Sequence, residues 1–276
     1  MQDHEIIKTI EAQPTQSALA VSDHLQLECS SRTIVRRLRE SGLFARIIAT
    51  KPVLAGRNNE DRIAFTRQYI DLPIEFWQRV IFCDEKVFSS EGLRPQSVWR
   101  RINTRYKEEN IVPSSRSDRI TGGVWGWIAW SGVGEIVEIN GCLTSAEYVN
   151  ILEDVFLPSV RAVFAEEEAL HVYLAQDNSP IHRCRVVSDW FASHPEVTLL
   201  DWPSRSPDLN PIEYVWAQMS KDWLGCNGRN RKELFDYVRE LWEKLRLQPN
   251  LLQNLVQLMP HRLRDVILAD GGYTKY

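Results

Sequence analysis

No stretch of this 276-residue chain stays apolar for the ~20 residues that crossing a bilayer requires, and its first residues carry no hydrophobic signal core. Cysteine is sparse. The five, Cys29, Cys83, Cys142, Cys184 and Cys226, are scattered, odd in number and form no Cys-x-x-Cys pair. Neither a zinc site nor a disulfide framework is indicated, and buried thiols in a reducing compartment are expected. Internal repeats and low-complexity tracts are absent. So is any overall excess of basic residues: 33 Lys and Arg stand against 37 Asp and Glu, a net charge of −4 that argues weakly against a nucleic-acid partner.

The average hides a local pattern. Between Cys29 and Asn59 seven bases (Arg32, Arg36, Arg37, Arg39, Arg46, Lys51, Arg57) face one acid, Glu40. A second stretch from Arg94 to Arg119 carries seven bases against Glu108, Glu109 and Asp118. Duplex DNA responds to such patches rather than to a global sum. The remaining composition, 43% hydrophobic and 25% charged, is that of an ordinary globular protein long enough for one large domain or two smaller ones.

Residues 3–42 read as three short helices. Ile6, Ile7 and Ile10 set a helical period, Pro14-Thr15 opens the second helix, and Ser30 or Ser31 caps the third, which Gly42 closes. On that third helix Ile34, Val35 and Leu38 form an apolar back, while Arg32, Arg36 and Arg39 line the opposite side. Such a helix suits a major groove; an ordinary amphipathic helix of a small bundle is the plain alternative. Residues 43–60 read as an extended basic linker, and Asp61–Trp77 as helix broken by Pro73.

Strands and helices alternate thereafter. Val80–Phe88 is a nearly continuous apolar run of the central-strand type, and Val98–Ile102 is a further candidate strand. Val124–Trp130 and Glu135–Ile139 flank Ser131-Gly-Val-Gly134, a hairpin signal. Trp99, Trp125, Trp127 and Trp130 cluster there, and core packing suits them better than stacking on bases. Thr144–Phe164 is expected as helix, Val172–Gln176 as strand, Ile181–Ala192 as helix and Val197–Trp202 as strand. Pro211 begins a helix whose buried stripe is Ile212, Val215, Trp216, Met219 and Trp223. Three more helices follow near 231–246, 250–258 and 260–269. The order implies an α/β fold, a mixed sheet covered by helices.

Three carboxylates stand out in this frame. Asp84 follows Val80-Ile-Phe-Cys83, and Asp177 follows Val172-Tyr-Leu-Ala-Gln176. Glu213 opens a helix 36 positions after Asp177. Hard oxygen ligands of this kind suit two Mg²⁺ or Mn²⁺ ions and the chemistry of phosphodiesters. Rival roles exist. An aspartate after an apolar run often ends a turn, and Glu213 falls at the third helical position after Asn210 and Pro211, where a capping-box glutamate belongs. Glu85, Asp201 and Asp208 are alternative donors for the third ligand. His182, five residues after Asp177, either steers a water or phosphate or starts a helix.

The strings Asp84-Glu85 with Phe88, Gln176-Asp-Asn-x-Pro180 with His182, and Trp202-Pro-Ser-x-Ser-Pro-Asp-Leu-Asn-Pro-Ile-Glu213 with Trp216 resemble the Tc/mariner superfamily of DNA transposases, Tc branch. Met259-Pro-x-Arg-Leu-x-x-Val-Ile267 and Gly271-Gly-Tyr-Thr-Lys-Tyr276 resemble its C-terminus. The resemblance implies a ribonuclease-H-like catalytic domain over residues 73–276, with Asp84, Asp177 and Glu213 as the metal-binding catalytic triad. It implies a helix-turn-helix domain over residues 1–43, a basic linker over 44–72, and DNA contacts from Arg32, Thr33, Arg36, Arg37 and Arg39. Its implied partners are double-stranded DNA, in the form of transposon terminal inverted repeats and a TA target, and a second copy of the chain, in the nucleus. The spacing between Asp177 and Glu213 is one residue longer than is usual in the branch, which a loop near His194-Pro195 would absorb. The family's first DNA-binding module is not found before Met1, so the chain reads as N-terminally truncated. A catalytically silent DNA-binding derivative is the other function these features allow.

Overall fold

The computed structural model describes residues 2–45, 54–90, 120–164, 170–222 and 230–276. The second basic stretch, the candidate strand Val98–Ile102, Arg46, Lys51, Trp99, Trp223 and Cys226 lie outside the described residues. The chain divides into two units, Met1–Pro52 and Val53–Tyr276.

In the first unit three helices run α1 (Gln2–Ala12), α2 (Ala18–His24) and α3 (Ser31–Glu40). α2 begins later than Pro14-Thr15 suggested because the capping hydroxyl belongs to Ser17, whose Oγ accepts the Ala20 N–H at 3.1 Å. Ser30 caps α3 in the same way, accepting from the Thr33 N–H at 3.2 Å. Ile6, Val21 and Ile34, one from each helix, are buried together, with Ile10, Leu25 and Leu38 packed around them. The apolar periodicity of residues 3–42 is this small core.

The second unit opens with α4 (Gly56–Tyr69) and α5 (Ile74–Gln78). Helix expected from Asp61 and broken by Pro73 is thus present, but α4 begins at Gly56, inside the stretch read as extended over residues 43–60. A stripe at positions 62, 65, 66 and 69, all four buried, seats α4 against α12. β1 (Val80–Ser89), β2 (Thr121–Ala129) and β3 (Gly132–Ile139) form an antiparallel meander; β4 (Val172–Ala175) and β5 (Val197–Leu199) add parallel strands on the other side. The sheet order is β3-β2-β1-β4-β5, which makes β1 the central strand. α6 (Ser145–Ile151) runs through a widened π turn, Leu152–Phe156, into α7 (Leu157–Val163). α8 (Arg185–Ser193), α9 (Ile212–Asp222), α10 (Arg231–Arg246), α11 (Pro249–Gln257) and α12 (Met259–Leu268) complete the unit. α8 starts later than expected, after turns over residues 180–183, and β5 is shorter than the predicted strand.

The apolar run of β1 serves both faces of the sheet. Val80, Phe82 and Phe88 join one core with Trp77, Trp216, Trp242 and the C-terminal helices. Ile81 and Cys83 join the other with Trp125, Trp127, Tyr148 and Phe156. Alternation along a strand assigns side chains to faces by parity. Asp84 thus falls on the first face and Glu85 on the second. Trp125 and Trp127 are fully buried, as core packing predicted. Of the four described cysteines only Cys83 is buried; Cys29 and Cys184 are intermediate and Cys142 is exposed, so the expectation of buried thiols holds for one.

Candidate active site

Asp84 lies on β1 directly opposite Gly126 of β2. Because paired residues share a face, a Cβ at position 126 would point toward the same core, 3.2 Å from the Trp242 ring and 3.3 Å from the Trp216 ring. The bare glycine leaves room for Trp216 of α9, whose Nε1–H donates to Asp84 Oδ2 at 3.1 Å. Burial pushes the Asp84 carboxyl up to about 8, helped by the charges of Glu213 and Glu85; hydrogen bonds from the Glu85 N–H and Trp216 act against the rise.

Asp177 follows the end of β4 and is exposed. Its Oδ1 accepts from the Ser179 N–H at 2.9 Å and from His182 Nδ1 at 2.8 Å. The other His182 nitrogen bonds Glu85 Oε1 at 3.2 Å. The imidazole is buried and packed at 4.3 Å, centroid to centroid, on Tyr148, whose hydroxyl bonds Gln176 Oε1. Burial alone would lower the His182 pKa; the hydrogen bonds and charges of Asp177 and Glu85 outweigh it and bring it to about 9. In the same exchange Asp177 is held below the usual carboxylate value, its desolvation outweighed by His182 and the Ser179 N–H. His182 therefore joins the segment after β4 to the second face of β1, which is more than starting a helix.

Glu213 is in the first turn of α9. Asn210 caps this turn: its carbonyl accepts the Glu213 N–H at 3.2 Å and its Oδ1 accepts the Ile212 N–H at 3.3 Å. The Asn210 N–H, to which a capping-box glutamate would bond, donates instead to the Pro207 carbonyl at 3.0 Å. Asn210 Nδ2 also donates to the Cys83 carbonyl at 3.2 Å, tying the helix that carries Glu213 to the residue just before Asp84. Asp84, Asp177 and Glu213 line one pocket of about 130 Å³, with Trp202, Arg205 and Asn210 among its other walls.

The three alternative acids do not line that pocket. Glu85 faces His182, and Asp201 lines a neighbouring cavity. Asp208 is sealed in the interior. Arg62 of α4 donates from Nη1 to Asp208 Oδ1 at 2.8 Å and from Nη2 to Oδ2 at 2.7 Å, and the N–H and hydroxyl of Thr274 complete the carboxylate's partners. Arg62 also donates to the carbonyls of Gly271 and Gly272 and to Ser206 Oγ. Sequence reasoning missed Arg62; it placed Asn210 at the start of the Glu213 helix, as found, but not its bond to the Cys83 carbonyl.

The donor set is all oxygen, and at Asp84 a buried carboxyl already meets the charge of Glu213. A divalent cation fits that chemistry. Among the described residues no three His, Cys, Asp or Glu side chains are gathered closely enough to form a finished metal cluster, Asp177 being engaged with His182. The convergence expected from sequence reaches a common pocket but stops short of a shared ligand sphere.

Of the basic side chains on α3, Arg32, Arg36 and Arg39 are exposed. Arg37 is half-buried and held by Asp3 at 3.6 Å and Glu40 at 3.1 Å, and Thr33 Oγ1 bonds the capping Ser30 Oγ at 3.1 Å. Those two thus have partners within the first unit, as Arg36 does in Glu40 at 3.9 Å.

Residues 79–234, more than half of the chain, match the profile of the family described as DDE superfamily endonuclease, and residues 3–71 match one described as Transposase. The chain belongs to the Tc/mariner family of DDE transposases. The Tcb1 transposase of Caenorhabditis briggsae is 30% identical over 99% of this chain and 100% of its own. The Tc1 transposase of Caenorhabditis elegans is 29% identical with the same coverage. Among solved structures, the Mos1 transposase paired-end complex with left transposon end gives a TM-score of 0.82 at 18% identity, covering 100% of this chain and 80% of that one. The latter likeness speaks for the fold alone. With the sheet order above, it bears out the ribonuclease-H-like reading. The transposase is an enzyme of cut-and-paste DNA transposition, cleaving DNA and transferring strands.

Proposed function

We propose that Asp84, Asp177 and Glu213 are the catalytic carboxylates and hold two divalent cations, Mg²⁺ or Mn²⁺. The single observation that carries this reading is their meeting in one pocket from β1, the end of β4 and the start of α9, segments far apart in sequence. When bound, the cations supply charge stabilisation and activation of an oxygen nucleophile in phosphodiester cleavage and joining. The protein's own part is positional. Trp216 fixes Asp84 from the α9 side, His182 and the Ser179 N–H fix Asp177, and Asn210 sets the height of Glu213 against β1.

The substrate is double-stranded DNA: the terminal inverted repeats of a transposon, then a TA target. Exposed Arg32, Arg36 and Arg39 on α3 contact the repeat. Two ends must be paired, so the working form is a homodimer, and its place is the nucleus, where its substrate resides.

The decisive test supplies precut transposon ends, Mn²⁺ or Mg²⁺ and a target plasmid. Wild type is expected to give joined product. Asp84→Asn and Glu213→Gln are expected to bind DNA unchanged and give none. Product from either variant would remove that residue from the chemistry. Bound but unreacted DNA with wild type would instead indicate a silent DNA-binding derivative, a reading that intact carboxylates in a common pocket disfavour.

A further inference from the structure

Beside the carboxylate pocket lies a second cavity of about 540 Å³, and Trp202 and Pro203 line both. Two cations reach it. Arg57 comes from the first turn of α4, and Arg183 immediately follows His182. Both are exposed, and neither forms an ion pair or hydrogen bond with another described residue, although Asp61 and Asp201 line the same cavity. The wall between them is firm. Asn178, the neighbour of Asp177, donates from Nδ2 to the Trp202 carbonyl at 2.6 Å and to Ser204 Oγ at 3.1 Å. One short segment thus carries a carboxylate of the catalytic pocket, an anchor of the cavity wall and an unpaired guanidinium.

A substrate that is a polymer cannot end at the reacting phosphate. Each neighbouring nucleotide brings a further negative charge that must lie somewhere, and the larger cavity shares a wall with the catalytic one. Guanidinium groups with no internal carboxylate partner are suited to phosphate oxygens. We infer that this cavity takes the phosphodiester backbone of the DNA strand next to the reacting phosphate, with Arg57 and Arg183 each holding one phosphate. The inference rests on the catalytic reading above and extends it to the path of the strand. Asp61 and Asp201 balance the two arginines in number, so the hold is weak, as a site from which product must leave requires.

The test uses the full chain, precut ends and a target plasmid, with single neutral methylphosphonates placed in turn at each linkage near the reacting phosphate. Wild type is expected to lose about tenfold in joining at one or two adjacent linkages. The Arg57→Gln/Arg183→Gln double variant is expected to lose a similar factor on natural DNA and nothing further at those linkages. Its log–log salt dependence of binding should be shallower by about 2, roughly 1 for each lost phosphate contact. Both side chains are exposed, so its denaturation midpoint should match wild type. Equal sensitivity of variant and wild type to every methylphosphonate, or an unchanged salt slope, would overturn the inference. Failure of the catalytic reading itself looks different: wild type would join no substrate at all.

Discussion

His182 sits between carboxylates of two segments, with no room to relax: the ring is buried, packed on Tyr148 and bonded through both nitrogens. A side chain so held orients Asp177 rather than reacting itself. Removing such a partner of a metal-binding group commonly costs about 10–100-fold in affinity or activity. His182→Ala is therefore expected to lower strand cleavage by that factor while leaving DNA binding intact, measured by product formation and by gel shift on the same ends. Parallel losses in both assays would make the residue merely structural. The pairing of Asp84 and Glu85 was legible only up to the strand: once β1 starts at Val80, parity sends the first acid toward α9 and the second toward His182. Position in the sequence could not separate Asp208 from Glu213, because the difference is made by Arg62, 146 residues away from Asp208.

α4 and α9 show where element-level reading succeeded and failed. The stripe Arg62, Phe65, Thr66, Tyr69 follows the i, i+3, i+4, i+7 rule for a buried face, with an arginine in the first position. An arginine in an apolar stripe is a sequence signal for an internal ion pair, but hydrophobic periodicity counts it as a surface residue. Breaking a buried pair by removing one partner costs about 3–5 kcal/mol, so Arg62→Ala should lower the unfolding free energy of the second unit by that amount in denaturant titrations. The pH dependence has a definite sign. The carboxyl of Asp208 is costly to bury, yet Arg62 and Thr274 hold it below its ordinary 3.8. Its contribution is fully present above about pH 4 and is lost as pH falls through the lower native value. Asp208→Asn should thus destabilise at neutral pH and flatten the acid limb of a stability–pH curve. At the other helix, Asn210→Ala removes the bond to the Cys83 carbonyl, leaving that buried acceptor one partner short. A loss of about 1–3 kcal/mol is expected, with a larger fall in cleavage than in DNA binding.

The whole chain was legible in outline because its two units use different periods. Residues 3–42 repeat at helical spacing, and the later segments alternate short apolar strands with helices. The hairpin and the central strand stood where β-branched and aromatic runs met turn residues. Strand order and the destination of each helix were not legible, since they depend on which faces pack together. The separate cores make a further expectation concrete. Arg62→Ala should shift the unfolding of the second unit alone, while Arg36→Ala, on an exposed face of α3, should leave both transitions in place. It should instead flatten the salt dependence of DNA binding by about 1. An unchanged slope would take α3 out of the DNA interface.

Gly126 does no chemistry, yet two indole rings approach it from the side that also holds Asp84. Any residue bulkier than alanine there would have to push Trp216 aside and with it the helix bearing Glu213. Genomic copies of such an element decay by random substitution. A survey that scored copies as intact by their three acids alone would count among the living some that a single added side chain, on the strand beside Asp84, had already silenced.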